Sequence, residues 1–374
     1  MSERPKQLGA ENLAAVLRSL NMAVYITDLD RRIVLWNRKA EEITGYKAED
    51  IVGSACHDNI LNHVDKHGRR LCTTNLCPLY RAIHLNKESR EPIIVYAKTR
   101  DGKRVAVSVM TAPLRDEEGR VIGGVETFRE ETARMHDLEF ARRIQRALLP
   151  ETMPSPPGYE FEARYYPHDL IGGDFYDVRQ LDASRYALFL ADVRGHGVSA
   201  ALYTMSLKNL SDRCGDMAAD PEKFLSAVNR ELGRVTVDES FATAFYGLLD
   251  SATGALQYCN AGHPPPLHYR AATGEVTELA SHGLPLGIVE DEIGENDSVT
   301  LAKGDLVLLY TDGLTEAADR AGRMIGVETL IAMLKKEMGR PGPRMLERLY
   351  RRVEEACGEV SFDDDITLVS VRAI

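Results

Sequence analysis

The chain has 374 residues, of which 44% are apolar and 28% charged, and its formal net charge is −11. That length allows two or three domains with cores of their own, and the acidic balance argues against a general nucleic-acid binder. No apolar run approaches the ~20 residues of a membrane helix, the N-terminus lacks a signal-peptide core, and six scattered cysteines indicate no disulfide framework. We therefore expect a cytoplasmic α+β protein with no membrane or nucleic-acid partner.

Residues 1–129 predict five short strands with helical pieces inserted after the second strand. The strands are expected at 23–27, 32–36, 92–99, 105–113 and 121–128. This order resembles a PAS domain, a five-stranded antiparallel sheet with helices, on the following residues: Ile26-Thr27-Asp28, Val34-Leu35-Trp36-Asn37-Arg38-Lys39-Ala40, Thr44-Gly45-Tyr46, Asp50-Ile51-Val52-Gly53 and Asp101-Gly102-Lys103. The resemblance implies a sensor domain, which in that family detects a ligand, a cofactor or a partner.

Cysteines and histidines gather within this segment and leave two interpretations open. They are Cys56, His57, His63, His67, Cys72 and Cys77. Thiolates and imidazoles are ligands of zinc, iron–sulfur clusters and haem, so one interpretation is a metal or redox site at Cys56, Cys72 and Cys77. Their spacing matches no standard zinc pattern such as paired CxxC. We favour the other interpretation, reduced structural cysteines with surface histidines, which leaves any PAS ligand unidentified.

Residues 130–158 are expected to connect two domains. The stretch 130–149 contains no Gly or Pro, and its apolar side chains recur every three or four residues, at Met135, Leu138, Ala141, Ile144 and Leu148. A lone helix with such a seam is seldom stable, so it should pair with a second copy or lie on a neighbouring domain. We predict a homodimer through helix 130–149, with a proline-rich link after it that marks the domain boundary.

The segment 159–374 begins with a hairpin that brings two carboxylates together. A strand opens at Asp174, polar turn residues follow at 182–184, and an apolar run returns to Asp192. In an antiparallel pair the first residue of one strand faces the last residue of the next, with Cα atoms roughly 4.5–5.5 Å apart. Repulsion makes this pair costly unless a proton is shared or a cation is bound. The hairpin therefore predicts a cation site.

The same pattern recurs near the C-terminus. Asp312 ends the apolar run 305–310, and Asp363-Asp364-Asp365 opens the strand 366–371. If these two strands are antiparallel neighbours, four carboxylate positions gather on one sheet edge. Oxygen ligands without a His/Cys set suit Mg²⁺ or Mn²⁺, and two such ions can bind a phosphate and activate a water.

These motifs resemble the PPM serine/threonine phosphatases of the SpoIIE type. The likeness runs from about residue 138 to the C-terminus and rests on four stretches: Gly172-Gly173-Asp174-Phe175-Tyr176-Asp177, Ala191-Asp192-Val193-Arg194-Gly195-His196-Gly197, Tyr310-Thr311-Asp312-Gly313 and Asp364-Asp365-Ile366-Thr367. The residues 141–150 also resemble the opening helix of that group. The resemblance implies that 159–374 form an α-β-β-α sandwich of two antiparallel sheets, with two metal ions at one end.

Metal-ligand roles follow from the resemblance, position by position. It implies that Asp192 bridges two ions, that Asp174 and the Val193 carbonyl hold one of them, and that Asp312 and Asp364 hold the other. The family pattern favours Asp364 as this ligand, and Asp365 is the alternative. Asp192 and Asp174 are thereby the catalytic carboxylates.

Two further side chains have open roles. Arg194 stands where small or uncharged residues are common in the family; either it binds substrate phosphate, as a guanidinium can, or it is a solvated surface arginine. His196, and more weakly His263, are candidate proton donors to the leaving oxygen, with a structural role as the alternative.

The resemblance implies a PAS-regulated, Mn²⁺- or Mg²⁺-dependent phosphatase that acts on phosphoserine or phosphothreonine of a protein. The usual substrate in that family is a phosphorylated anti-sigma-factor antagonist, a STAS protein, within a partner-switching pathway. The alternative function is a non-catalytic sensor–adaptor that binds a phosphoprotein without turnover. The complete carboxylate set argues against the adaptor.

Overall fold

The computed structural model describes residues 10–58, 60–66, 68–195, 197–234, 240–279, 283–289, 293–340, 344–358 and 362–374. The chain divides into two compact units, Met1–Asp137 and Leu138–Ile374. This division lies within the predicted helix 130–149, before the proline-rich link at which the sequence placed the boundary. Across the described ranges, no helix combines the length and the apolar character needed to cross a membrane.

The first unit is built on a five-stranded antiparallel sheet with the strand order β2-β1-β5-β4-β3. Its strands are β1 (Ala23–Asp28), β2 (Ile33–Trp36), β3 (Ile93–Lys98), β4 (Arg104–Arg115) and β5 (Val121–Glu130). Its helices are α1 (Ala10–Ser19), α2 (Arg38–Thr44), α3 (Ala48–Ile51) and α4 (Pro78–His84). The predicted sheet, with helices after the second strand, is confirmed.

Asn37 shows how a single side chain stabilises local structure in the first unit. Its side-chain oxygen accepts the backbone N–H of Ala40 at 3.0 Å, which caps helix α2, and also the N–H of Val24 in β1 at 3.0 Å. Asparagine favours this cap position because its short side chain reaches backbone donors that the first helical turn leaves unpaired. One buried side chain thus joins the start of helix α2 to strand β1.

Helix α5 (Thr132–Leu148) starts two residues later than predicted. The reason is that β5 extends to Glu130, which pairs with Val107 of β4, so residue 130 belongs to the sheet. Along this helix Gln145 is buried, whereas Phe140 and Ile144 are exposed. The predicted apolar seam is therefore only partly covered within one chain.

The second unit contains two five-stranded antiparallel sheets, with strand orders β13-β10-β9-β8-β7 and β12-β11-β14-β15-β6. The strands are β6 (Tyr159–Tyr166), β7 (Asp174–Gln180), β8 (Arg185–Val193), β9 (Ala242–Asp250), β10 (Ala255–Ala261), β11 (Leu267–Arg270), β12 (Glu275–Glu278), β13 (Asp297–Thr300), β14 (Leu306–Tyr310) and β15 (Ile366–Ala373). The helices are α6 (Val198–Arg213), α7 (Pro221–Gly233), α8 (Gly313–Glu316), α9 (Gly326–Met338) and α10 (Met345–Cys357).

Three apolar layers show that this unit is an α-β-β-α sandwich. Strand β8 contributes to two of them: Phe189 and Ala191 pack with residues of α6 and α7, while Leu188 and Leu190 pack between the sheets with residues of β14 and β15. A third cluster joins β14 and β15 to α9 and α10. Because both faces of its sheet are covered, β8 is a continuous apolar run rather than an alternating one.

Candidate active site

The hairpin of β7 and β8 places Asp174 directly opposite Asp192, so the predicted carboxylate pair is confirmed. Asp174 is 2% exposed. The backbone N–H of Val193 donates to the Gly173 carbonyl at 3.2 Å, which continues the ladder past the two aspartates. Register within a short hairpin follows from its turn and its apolar pattern, and this is why the sequence could predict the pair.

Strands β14 and β15 are antiparallel neighbours, as the sequence predicted, with Tyr310 opposite Leu368. The expectation of one shared sheet edge is wrong, however, because this pair and the β7–β8 hairpin belong to different sheets. Asp312 follows β14 and starts α8, while Asp364 and Asp365 precede β15. The carboxylates therefore approach one another across the sandwich, from the ends of two sheets packed face to face.

Two threonine hydroxyls connect the sheets at Asp174. Thr311 Oγ1 donates to Asp174 Oδ2 at 2.9 Å, and Thr367 Oγ1 donates to the same oxygen. The Thr367 backbone N–H donates to Thr311 Oγ1 at 2.9 Å. The other oxygen, Asp174 Oδ1, is buried without a hydrogen bond. Sequence reasoning missed this threonine role, although both residues stand within two positions of a predicted acidic ligand.

Removal of either hydroxyl should weaken this connection. We expect Thr311→Val and Thr367→Val each to lower the free energy of unfolding by about 1–3 kcal/mol, because a buried carboxylate oxygen loses a donor. Urea unfolding of the two variants measures this. Thr311→Ser and Thr367→Ser keep the hydroxyl and serve as controls; equal losses in the valine and serine variants would show that packing, not the hydrogen bond, matters.

Asp192 lies among the carboxylates of the second sheet. Its carboxyl group is within hydrogen-bond reach of Asp312, and burial together with Asp312, Asp364 and Asp365 raises its pKa to about 8. Burial, and then Glu316 and Asp364, raise the pKa of Asp312 as well. Like charges crowded in a buried site favour either protonation or a bound cation.

The two adjacent aspartates before β15 have different surroundings. Asp365 is buried, and its oxygens accept the backbone N–H groups of His168 at 2.7 Å and Gly173 at 2.6 Å. Asp364 is exposed, and its Oδ1 accepts the N–H of Asp365 at 2.8 Å. Asp365 thus holds the loop in front of Asp174, whereas Asp364 keeps an oxygen toward solvent.

Gln145 on helix α5 makes hydrogen bonds to the same loop. Its Nε2 donates to the Gly172 carbonyl at 2.6 Å, and its Oε1 accepts the Gly172 N–H at 3.2 Å. This side chain is 4% exposed and is buried in a helix whose other side chains are half-buried or exposed. Sequence reasoning did not single it out, because a glutamine beside the apolar positions Ala141 and Leu148 carries no signal of burial.

The positions after Asp192 differ in exposure. The Val193 carbonyl faces Gly173, because a Cβ on that glycine would lie 2.7 Å from the oxygen. Arg194 is exposed, its backbone N–H donates to the Phe241 carbonyl at 3.0 Å, and its guanidinium lies 5.3 Å from the centre of the Phe241 ring. His196 lies outside the described residues.

His263 is a core residue, which removes it as a candidate proton donor to substrate. It is 1% exposed, and its Nδ1 pairs with Thr243 Oγ1 at 2.8 Å. Burial lowers its pKa to about 3, with a partial offset from the Tyr310 carbonyl.

The low pKa of His263 predicts acid sensitivity of this unit. An unfolded histidine takes up its proton near pH 6.5 and the folded one only near pH 3, so stability present above pH 6.5 is lost as the pH falls toward 3. The loss approaches about 1.4 kcal/mol per pH unit for this one proton. We expect His263→Gln to flatten the fall of Tm between pH 6.5 and 4, measured by calorimetry; an unchanged slope would contradict it.

The donor set fits divalent cations that prefer oxygen. Among the described residues, no three His, Cys, Asp or Glu side chains are already spaced as ligands of one ion. Nevertheless Asp174 Oδ1 is buried without a hydrogen bond, and the Asp192 carboxyl group lies within hydrogen-bond reach of Asp312. A cation would offset both costs, and carboxylate and carbonyl oxygens are ligands of Mg²⁺ and Mn²⁺.

Comparison with known families gives two matches. Residues 182–374 match the model of stage II sporulation protein E (SpoIIE), and residues 17–136 match a PAS fold. Phosphoserine phosphatase RsbP of Bacillus subtilis (strain 168) is 33% identical over 184 residues, 48% of this chain and 45% of RsbP. Phosphoserine phosphatase RsbU of the same organism is 26% identical over 236 residues, 63% of this chain and 70% of RsbU. The chain thus spans less than half the length of RsbP.

Solved structures give the same picture of the fold. The SiaA-PP2C domain of Pseudomonas aeruginosa aligns with a TM-score of 0.56 and 28% identity, covering 65% of this chain and 97% of that domain. The RsbU and RsbW domains of Rv1364c from Mycobacterium tuberculosis align with a TM-score of 0.51 and 30% identity, covering 59% of this chain and 62% of that one. The sandwich is therefore a PP2C-type fold.

Proposed function

Because this chain belongs to the SpoIIE family of PP2C-type serine/threonine phosphatases and carries a PAS domain, we propose that it is a PAS-regulated, metal-dependent protein phosphatase. One observation carries the proposal: Asp192 faces Asp174 within its own sheet and lies close to Asp312 and Asp364, which flank strands of the other sheet. An adaptor that only bound a phosphoprotein would gain nothing from carboxylates whose mutual repulsion destabilises it.

In this proposal the aspartates hold two Mn²⁺ or Mg²⁺ ions. Asp174, Asp192 and the Val193 carbonyl would hold one ion, and Asp192, Asp312 and Asp364 would hold the other. Bound divalent ions supply charge neutralisation for the phosphate and an activated water. Asp365 has both oxygens engaged by backbone N–H groups, so we assign it to positioning the Gly173 loop rather than to binding an ion.

The residues of the chain itself set the geometry of this site. Thr311 and Thr367 fix one oxygen of Asp174, which directs the other oxygen toward the site. Gln145 and Asp365 hold the loop at Gly172 and Gly173 from two sides. Partners of this kind keep ligands oriented, and their loss typically reduces metal affinity or activity 10- to 100-fold.

Arg194 is proposed to bind substrate phosphate. Its guanidinium is exposed next to Asp192 and rests on Phe241, so it can approach phosphate oxygens without a burial cost. We expect Arg194→Ala to raise KM for a phosphoserine peptide on the order of 10-fold, with a smaller effect on kcat. Steady-state kinetics with Arg194→Lys as the charge-conserving control tests this. An unchanged KM in Arg194→Ala would assign the residue to the solvated surface.

The proposed substrate is a phosphoserine or phosphothreonine protein, and the class we favour is a STAS-type anti-sigma-factor antagonist in a partner-switching pathway. The names of two relatives support phosphoserine as the target, since both are phosphoserine phosphatases. The structure of Rv1364c supports the pathway, because there an RsbU domain and an RsbW domain occur in one protein.

We also propose that the chain forms a homodimer through helix 130–149. Phe140 and Ile144 on α5 are exposed, and a second copy of the helix would cover them. Sedimentation at micromolar concentration tests this, with Phe140→Glu as the disrupting variant. A monomeric wild type would refute the proposal.

Hydrolysis of p-nitrophenyl phosphate tests the enzymatic function. We expect Mn²⁺-dependent turnover by the full chain or, if the PAS domain holds the enzyme off, by a chain that lacks residues 1–130. Chelation should stop it. Failure of both chains with Mn²⁺ and with Mg²⁺, while binding of a phosphoprotein persists, would favour the sensor–adaptor.

A further inference from the structure

The inner face of the PAS sheet carries a buried carboxylate, Glu126, that makes no hydrogen bond through either oxygen. Cross-strand register places Trp36, Tyr25, Glu126 and Thr111 in one row across strands β2, β1, β5 and β4. Glu126 is 1% exposed, and neither of its oxygens makes a hydrogen bond, although the Tyr25 hydroxyl lies near enough to favour the charged form slightly. Burial is the larger effect and raises the Glu126 pKa to about 8. An apolar core gains nothing from such a group.

Three buried thiols lie in the same core. Cys56, Cys72 and Cys77 are each 4% exposed and free, and Cys56 and Cys77 belong to the same buried cluster as Tyr25 and Trp36. Arg31 joins two of their segments: its carbonyl accepts the Cys56 N–H at 2.9 Å, and its Nη1 donates to the Cys72 carbonyl at 2.9 Å. The core thus gathers residues far apart in sequence.

His63 completes the cluster. It is 3% exposed, so the expectation of surface histidines is wrong at this position. Its backbone N–H donates to Cys72 Sγ at 3.1 Å, an arrangement that stabilises a thiolate. Its ring Nε2 lies 3.9 Å from Glu126 Oε1, which leaves Nδ1 as the nitrogen that can face a ligand. A carboxylate behind a histidine ring is the usual outer partner of a metal-binding imidazole.

Neither alternative use of these thiols explains the whole cluster. All three thiols are buried, whereas reactive redox cysteines are partly exposed, so a redox role is disfavoured. A purely structural role for the cysteines is compatible with their burial. It does not explain why Glu126 is buried without a hydrogen bond to either oxygen, or why an imidazole is buried beside it.

We propose that the PAS core binds a thiophilic transition-metal ion, zinc or iron, through Cys56, Cys72, Cys77 and His63, with Glu126 orienting the histidine. Three thiolates and one imidazole are an established tetrahedral ligand set. On binding, each thiol transfers its proton to solvent, and Arg31 offsets part of the resulting negative charge. Within the described ranges, no three candidate ligands are close enough to one another to bind one ion. The sulfur and nitrogen atoms must therefore move closer together when the ion binds. The same is true of the phosphatase aspartates.

Metal analysis of the full chain, purified without oxygen and without chelators, tests this proposal. We expect about one zinc or iron ion per chain, and elemental analysis identifies which of the two metals is bound. Cys72→Ser and Cys77→Ser should lose that metal. Cys214→Ser and Cys357→Ser, which replace buried cysteines of the other unit, should retain it, as should Asp192→Asn.

Titration with Co²⁺ alone gives a readout that does not depend on recovery of the native metal or on folding of the cysteine variants. Wild-type protein stripped of metal should develop thiolate-to-cobalt absorption, and His63→Gln and Glu126→Gln should weaken Co²⁺ binding about 10- to 100-fold. Absence of both zinc and iron together with absence of thiolate-to-cobalt bands would overturn the proposal. So would a metal content that Cys72→Ser and Cys77→Ser leave unchanged.

Discussion

Asp192→Asn should reduce Mn²⁺-dependent phosphate release on the order of 10³-fold while making the metal-free protein harder to unfold. Asp192 faces Asp174 across the hairpin and contacts Asp312 from the other sheet, so its charge serves both proposed ions. Without a cation that charge is only repulsive, and the neutral amide removes the repulsion. Turnover with p-nitrophenyl phosphate and Tm in the presence of a chelator measure the two effects.

Asp177→Asn is the matched control in the same hairpin. Asp177 is also buried, but it is paired with Arg179 at 2.5 Å and with Lys208 at 3.6 Å. Its neutralisation should lower stability, because two cations lose their partner, and leave the Mn²⁺ requirement intact. Activity in Asp192→Asn within tenfold of wild type, or the same sign of stability change in both variants, would contradict the assignment.

Gly172→Ala should greatly reduce phosphatase activity, because a Cβ at this position would clash with its neighbours. A Cβ there would lie 2.0 Å from Asp365 Oδ2 and 2.2 Å from the Tyr165 hydroxyl oxygen, well inside van der Waals contact. The loop can accept the methyl group only if Asp365 releases the Gly173 N–H, which moves the backbone that leads into Asp174. We expect a loss of about 2–4 kcal/mol in the free energy of unfolding and more than about 100-fold in turnover.

Gly215→Ala provides the comparison for Gly172→Ala. Nothing lies within 4 Å of a Cβ at this position, so the added methyl group meets open space. Its stability should remain within about 0.5 kcal/mol of wild type with full activity. If urea unfolding and turnover of Gly172→Ala match those of Gly215→Ala, the tight contact between the loop and Asp365 is not needed.

The aspartate pair at 174 and 192 could be predicted because a hairpin is local. Its turn and its apolar strand fix which residues are opposite each other. The pairing of β14 with β15 followed from a similar pattern of strands that end or begin at aspartates. The family resemblance, not this pattern, implied two sheets. The pattern could not assign the two strand pairs to different sheets, because that depends on which strands lie between them, and β6 (Tyr159–Tyr166), which pairs with β15, was not predicted.

The hydrogen bonds that support the site could not be predicted from the sequence, for another reason. Gln145 and Gly172 are 27 positions apart, and Asp365 reaches the N–H of Gly173 over 192 positions. No period or motif signals a single hydrogen bond at such separation. The PAS cluster shows the same limit: spacing argued against a metal pattern, yet folding brings His63, Cys72 and Glu126 together from three different segments.

Electron paramagnetic resonance of the full chain titrated with Mn²⁺ tests most directly whether carboxylates from two sheets form one two-ion site. Two Mn²⁺ ions bridged by Asp192 at about 3.5–4 Å should give the signal of a magnetically coupled pair, and Asp192→Asn should abolish it. Wild-type spectra that show only isolated bound ions, or no bound Mn²⁺, would contradict the shared site.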